Sequence, residues 1–282
     1  MQHKTRIAII GYGRFGRVHA MRARTHPAFD VVCVVDPQPH ARHAAQIAGF
    51  MTVARLQDLP RGVEAAAVVT PYETHAEIAV TLMRMGIDVL VEKPLASTER
   101  DIDALLDAEC ATRRKLCTGH IERFNRLLSA PLWSGTPHSI AFTRCSSLSV
   151  GAGSVVLDLM VHDLDTASLL FGRKEEETFE IIGVQRQCGT VNAQVLFCGS
   201  QLNLSASHGA HKSNVHLLWQ DFESRNELCL RSSDTATGID ALSLQYTAFH
   251  ELLSGAHSER PIASASEGAM AARRAIAIES WS

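Results

Sequence analysis

The sequence predicts an α/β protein, with a doubly wound parallel sheet over residues 1–118 and an α+β domain with a mainly antiparallel open sheet over residues 119–282. Three observations predict it. Up to residue 118, short apolar runs alternate with longer helix-like stretches, the pattern of parallel strands buried on both faces and joined by crossover helices. Beyond it, strand-like segments follow one another with no helix between them, as in an antiparallel sheet. The third observation is a glycine-rich turn, Gly11-Tyr12-Gly13-Arg14-Phe15-Gly16, between the first apolar run and the first helix.

The first region reads as strand Arg6–Ile10 and helix Phe15–Thr25, then Val31–Val35 and Pro39–Ala48, then Ala65–Val69 and His75–Met85. Strand Asp88–Val91, helix Thr98–Thr112 and strand Lys115–Thr118 complete it. In the second region a strongly apolar helix spans Ser154–Phe171, with Ser154 suited to its N-cap and Gly172 to the residue after its last turn. Strands follow at Glu180–Arg186, Val191–Phe197, Gln201–Ser207, Asn214–Trp219 and Glu227–Arg231, then helices near Ala241–Leu253 and Ser266–Ser280.

Composition excludes several classes. Hydrophobic residues make up 46% of the 282 and charged residues 20%, the balance of a folded globular chain. No apolar stretch approaches the 18 or so residues of a membrane span, and the start has too short an apolar run for a secretory signal. A net charge of −3 without a basic cluster argues against nucleic acid or an anionic membrane and for a small ligand. Seven cysteines, widely spread and with no C-x-x-C pair, suggest neither a disulfide framework nor a metal site. The expected compartment is the cytoplasm.

The G-x-G-x-x-G turn has a physical reading. Gly11 permits the tight turn, Gly13 lets the backbone approach a pyrophosphate, and Gly16 lets helix and strand pack closely. Arg14 and Phe15 complete the cradle, and the anion rests on the helix N-terminus. Asp36 ends the second strand twenty positions after Gly16, where a carboxylate meets the hydroxyls of an adenosine ribose. That favours NAD. Arg42, one helical turn on, keeps NADP as the second choice, and a tight turn with a capping aspartate is the alternative without a ligand.

Glu92-Lys93-Pro94 stands at the carboxyl end of strand Asp88–Val91, the edge along which open α/β sheets bind ligands. Lys93 there can reach a substrate oxygen; a solvated turn is the plainer alternative. On the apolar helix, Asp158, His162 and Asp165 fall at i, i+4 and i+7 and share a face. Burying such groups costs several kcal/mol unless they are paired or line a polar cavity. A catalytic site accounts for them: His162 takes a hydroxyl proton, Asp158 orients it and stabilises the imidazolium, and Lys93 polarises the same oxygen while hydride leaves the carbon. An internally satisfied His-Asp pair is the alternative.

The pattern resembles the glucose-fructose oxidoreductase/inositol dehydrogenase family (Gfo/Idh/MocA), on the Gly11–Gly16 turn, Thr70-Pro71 with His75, Glu92-Lys93-Pro94, and Asp158-x-x-x-His162 followed by Asp165. The resemblance implies a Rossmann domain, a tightly held nicotinamide cofactor, and a C-terminal α+β domain whose open sheet mediates homodimers or homotetramers. It implies Lys93, Asp158 and His162 at the catalytic positions and adds Thr70, Pro71, His75, Glu92 and Lys93 to the cofactor site. Gly119–Asn125 and Val155–Asp163 resemble the branch containing UDP-N-acetylglucosamine 3-dehydrogenases, which oxidise a sugar-ring hydroxyl to a ketone. Arg126 departs from the Pro usual in that branch, and the chain is short between Arg126 and Ser154.

The resulting expectation is an NAD-dependent dehydrogenase of a sugar CH–OH group, with a nucleotide-linked amino sugar as substrate. A free sugar or inositol-like polyol, a non-catalytic NAD-sensing regulator, and an imine or tetrapyrrole reductase are the alternatives. His120, Arg123 and Asn125, with Lys93 and His162, are the candidate substrate contacts; an interdomain ion pair is the other reading of Arg123. No metal is expected. His208, His211 and His216 are read as surface histidines, because residues three apart on a strand face opposite ways and no carboxylate stands nearby in sequence.

Overall fold

The structure, a computed structural model, describes residues 3–128, 137–147, 153–172, 178–221, 224–230 and 240–282. In chain order its main elements are β1 (Thr5–Ile10), α1 (Arg14–Thr25), β2 (Phe29–Val35), α2 (Pro39–Ile47), β3 (Thr52–Val53), β4 (Ala65–Val68), α3 (His75–Arg84), β5 (Asp88–Glu92), α4 (Glu99–Thr112) and β6 (Leu116–Gly119). There follow β7 (Ser139–Ser146), a π-helical turn (Val156–Met160) running into α5 (Val161–Leu170), β8 (Phe179–Gln187), β9 (Thr190–Phe197), β10 (Ser200–His208), β11 (Asn214–Gln220) and β12 (Arg225–Cys229). Helix α6 (Ala241–Ser254), β13 (Ala263–Ser264) and α7 (Ala265–Ser280) complete the chain. No described helix is long and apolar enough to cross a membrane.

The chain forms two compact units, one of Met1–Phe124 with Ile239–Ala269, the other of Asn125–Gly238 with Met270–Ser282. In the first, the sheet order is β13-β6-β5-β4-β1-β2-β3, parallel except for β13. Its central strands are buried throughout, as the continuous apolar runs Ile7–Ile10, Ala65–Val68 and Val89–Val91 require. The chain leaves β1 toward β2 on one side and returns to β4 on the other, so the strand order reverses at β1. At such a reversal the loops part at the carboxyl edge and leave a crevice for a ligand. Helix α6 belongs to this unit because Leu242, Tyr246 and Phe249 are buried in one cluster with Phe29, whose ring stacks on Phe249 with centroids 6.0 Å apart.

The second unit is a six-stranded sheet in the order β12-β11-β7-β10-β9-β8. All pairs are antiparallel except β7 with β10. Every second residue of β9 and β10 is buried, Val191, Ala193, Val195 and Phe197 on one and Leu202, Leu204, Ala206 and His208 on the other, the period of a sheet with one covered face. The apolar helix begins as expected: the Ser154 hydroxyl accepts from the Leu157 N–H at 3.1 Å, and Gly172 follows its end at φ +81°. Between them lies one departure, a π-helical turn in place of a regular first turn.

Gly268 makes a testable close approach. A Cβ there would overlap Thr118 Oγ1 on β6. Gly268→Ala is expected to lower the urea unfolding free energy by about 1–3 kcal/mol, as overpacking does. Thr118→Ala, which removes that oxygen, is expected to make the double variant less destabilised than the sum of the two single changes.

Candidate active site

At the carboxyl edge of the first sheet, the Gly11–Gly16 turn is shaped by backbone meeting backbone. Gly11 has φ +93°, and a Cβ on it would overlap Val69 O; a Cβ on Gly16 would overlap Gly11 O. Gly13, by contrast, faces open space. No side chain caps the N-terminus of α1, and its first turn carries no acidic residue. The free N–H groups there and the positive end of the helix dipole fit a pyrophosphate. Arg14 and Phe15 are exposed beside them.

Asp36 is buried and holds the turn in place. Its Oδ2 accepts the Tyr12 N–H at 2.7 Å and its Oδ1 accepts the Gln38 N–H at 2.8 Å. Each carboxylate oxygen has a second acceptor site, so the group also fits ribose hydroxyls. Arg42 Nη1 donates to the Asp36 and Pro37 carbonyls, both at 2.8 Å.

Thr70 and Pro71 follow β4 in a short turn in which the Thr74 hydroxyl donates to Pro71 O at 2.7 Å and lies 2.8 Å from the Thr70 hydroxyl. His75, at the start of α3, is 1% exposed and stands between two loops, with Nδ1 2.9 Å from Pro94 O and Nε2 3.0 Å from Thr70 O. It ties the loop after β4 to the turn after β5. Burial pushes its imidazole below the usual 6.5, and the two carbonyls only partly offset this.

Glu92 and Lys93 end β5. Lys93 is half-buried, while Glu92 is buried with Oε1 3.2 Å from His19 Nε2 and Oε2 accepting the Lys93 N–H at 3.3 Å. Burial alone would raise this carboxyl; hydrogen bonding and charge from His19, with the Lys93 charge and a bond from Gln245, bring it below the ordinary value of 4.5.

His120 and Arg123 are buried in the first unit. Arg123 Nη1 pairs with Glu267 Oε2 at 3.1 Å, and that oxygen also accepts from the Ser264 N–H at 2.8 Å, so the ion pair lies within one unit. Asn125 opens the second unit, donating from Nδ2 to Leu230 O at 2.9 Å and accepting the Leu127 N–H on Oδ1 at 3.1 Å.

In the second unit, Asp158 sits in the π-helical turn and His162 four residues on in α5, both half-buried. Isolated π turns inside helices gather at functional sites. Asp158 Oδ2 lies 3.2 Å from Nε2 of His208, at the end of β10. His208 is therefore not a surface histidine: it is 5% exposed and has a carboxylate partner fifty residues away in sequence. The signal that finds it is the period of two through Leu202, Leu204 and Ala206, which carries the next inward position to His208. His216 is half-buried, with Nδ1 2.8 Å from Glu227 Oε1. The buried Asp163 is neutralised by Arg144, whose Nε and Nη2 lie 3.0 and 2.8 Å from its Oδ1. Asp165 is likewise buried.

Residues 5–120 match the model of an oxidoreductase family with an NAD-binding Rossmann fold, Gfo/Idh/MocA. The chain is 28% identical over 231 residues to the UDP-N-acetylglucosamine 3-dehydrogenase of Acidithiobacillus ferrooxidans, an alignment covering 77% of this chain and 72% of that protein. It is 27% identical over 191 residues to the scyllo-inositol 2-dehydrogenase (NAD(+)) of Bacillus subtilis, covering 61% of this chain and little more than half, 55%, of that enzyme. A solved structure of the Acidithiobacillus ferrooxidans enzyme superposes with a TM-score of 0.82 at 24% identity, over 99% of this chain and 97% of the other, a likeness of fold. The sheet order and the glycine turn fit a dinucleotide-binding Rossmann domain. Residues 5–120 thus carry the NAD-binding domain described by the Gfo/Idh/MocA family model.

His75 generates a pH prediction. Its folded-state pKa lies below the unfolded value, so its contribution to stability is full above about pH 6.5 and declines as the pH falls, where the unfolded chain takes up a proton that the folded one refuses. Urea midpoints at pH 7.5 and 5.5 are expected to drop further in the wild type than in His75→Gln. Equal drops would remove His75 from the account.

Proposed function

We propose that the protein is an NAD-dependent dehydrogenase that moves hydride between a sugar-ring hydroxyl carbon and nicotinamide, with a nucleotide-linked amino sugar such as UDP-N-acetylglucosamine as substrate and a 3-keto sugar as product. The observation that carries this reading is Asp158 and His162, four residues apart at the π-helical turn of an otherwise apolar, buried helix. The similarity to the Acidithiobacillus ferrooxidans enzyme supports the choice of substrate class. Asp36, with both oxygens at the end of β2 and Arg42 engaged by two carbonyls, supports NAD ahead of NADP.

The residues divide the work as follows. The amides opening α1 and the open face of Gly13 receive the pyrophosphate, Asp36 the ribose hydroxyls, and the loops at Thr70-Pro71 and Glu92-Lys93 line the cofactor site. A bound nicotinamide supplies the acceptor for hydride. His162 removes the proton of the reacting hydroxyl, and Asp158 stabilises the imidazolium that results. Lys93 donates a hydrogen bond to the same oxygen, whose bond to carbon becomes a carbonyl. In the opposite direction the same imidazolium returns the proton. His120, Arg123 and Asn125 shape the sugar end through the backbone they hold.

We also infer that copies associate through the face of the second sheet that carries Gln194, Leu196 and Asn203, since its short polar side chains and the 40% exposed Leu196 leave it open. Light scattering at micromolar concentration is expected to give a dimer or tetramer, and a monomer would overturn it.

Purified protein with NAD and a panel of nucleotide sugars is expected to show rising absorbance at 340 nm with UDP-N-acetylglucosamine. A response confined to free polyols would move the substrate to the inositol side of the family. Lys93→Met and His162→Ala are each expected to lower kcat by about 10²–10⁴-fold, with NADH binding, read by its fluorescence, retained. Unchanged turnover in either variant would overturn the assignment of these residues.

A further inference from the structure

Glu92 stands one residue before Lys93, yet its carboxylate is turned into the first unit and is 6% exposed. Three elements meet it there. His19, from α1, places Nε2 3.2 Å from Oε1. Gln245, from α6, donates from Nε2 to the same oxygen at 3.4 Å. The Lys93 N–H donates to Oε2 at 3.3 Å. The backbone of β6 closes the cradle, because a Cβ on Gly119 would overlap Oε1.

Burial, and then the charge of Glu92, hold the Tyr246 phenol well above its ordinary value, so its hydroxyl keeps its proton. That hydroxyl lies 3.0 Å from His19 Nδ1. His19 Nε2 is the ring nitrogen that approaches Glu92. His19 is itself fully buried. Tyr246, His19 and Glu92 thus form a line of close contacts, 3.0 and 3.2 Å, that ends at the peptide of Lys93.

Such a carboxylate is costly to bury, and a strand end needs none. We propose that Glu92 and His19 are positioning residues for Lys93: they clamp the peptide that carries it and fix it to α1, the helix whose N-terminus forms the phosphate turn, with Tyr246 holding the far side of the His19 ring. Glu92 then acts behind the cofactor site by holding a neighbour. The proposal rests on Lys93 being the residue that meets the substrate oxygen.

The test uses the full chain and three variants. His19→Leu removes both contacts, His19→Gln restores an N–H donor toward Glu92, and Tyr246→Phe deletes a single hydroxyl as the mildest change. Each is measured for kcat and KM, for thermal unfolding, and for competitive trace acetylation of Lys93 against Lys212 read by mass spectrometry. The expected result is a kcat about 10- to 100-fold lower in His19→Leu with KM unchanged, the scale of a misplaced catalytic group. His19→Gln is expected to recover most of the loss, and the Lys93 acetylation ratio to shift in His19→Leu and return in His19→Gln. Should His19→Leu fail to fold, Tyr246→Phe against wild type carries the same comparison.

Falls in kcat that only track thermal stability, with no recovery in His19→Gln and a constant acetylation ratio, would overturn the proposal and leave a packing role. If the wild type oxidises no sugar, the functional reading falls, and the acetylation ratio alone decides whether Lys93 is held by this line.

Discussion

The first βα turn leaves no space for a side chain at Gly11 or Gly16, and the rest of the first unit is arranged around that approach of backbone to backbone. Val69 O lies against Gly11, so the turn after β1 and the turn after β4 are locked together where the strand order reverses. Asp36 adds the turn after β2 through Tyr12, and His75 joins the loop after β4 to the Pro94 turn after β5. Four consecutive loop ends of the parallel sheet are thereby coupled through short contacts. A crevice built this way can hold a charged ligand because its amide donors are fixed before the ligand arrives.

Much of this unit was legible because it obeys local rules. Continuous apolar runs, helical spacing and the glycine pattern are properties of neighbouring residues, and sheet order follows from handedness and connectivity. The second unit was legible only in part. β8 to β12 alternate clearly, but β7 has the weak pattern Ser139-Ile140-Ala141-Phe142-Thr143-Arg144, in which only Ile140 and Phe142 are large apolar residues, and its inward Arg144 reads as polar until Asp163 is known to meet it. Two-residue strands such as β3 and β13 carry too little sequence to show a period. The π-helical turn leaves no mark in composition.

The candidate site divides along the same line. Candidate residues marked by their own sequence neighbours, such as the glycines, Asp36, Lys93 and the Asp158-His162 pair, can be found by spacing. Residues defined by a partner far along the chain cannot. His208 meets Asp158, His19 meets Glu92, and Arg123 meets Glu267, each over long separations, and the period of two in β10 is the only local hint among them. Removing His19 from its buried pair with Glu92 would leave that carboxylate less compensated, a change that destabilises buried pairs. They are constraints on the fold as much as contributors to chemistry.

Asp36 bears on how such a chain could change its cofactor over evolutionary time. The same carboxylate that would face the ribose also anchors the Tyr12 amide inside the glycine turn and the Gln38 amide at the head of α2. Replacing it with Gly or Ala to welcome a 2′-phosphate would release both amides and loosen the turn that receives the pyrophosphate. Drift from one dinucleotide to the other is therefore not a single step here: it passes through a sequence with a weakened phosphate cradle unless a second change has already taken over the hold on Tyr12.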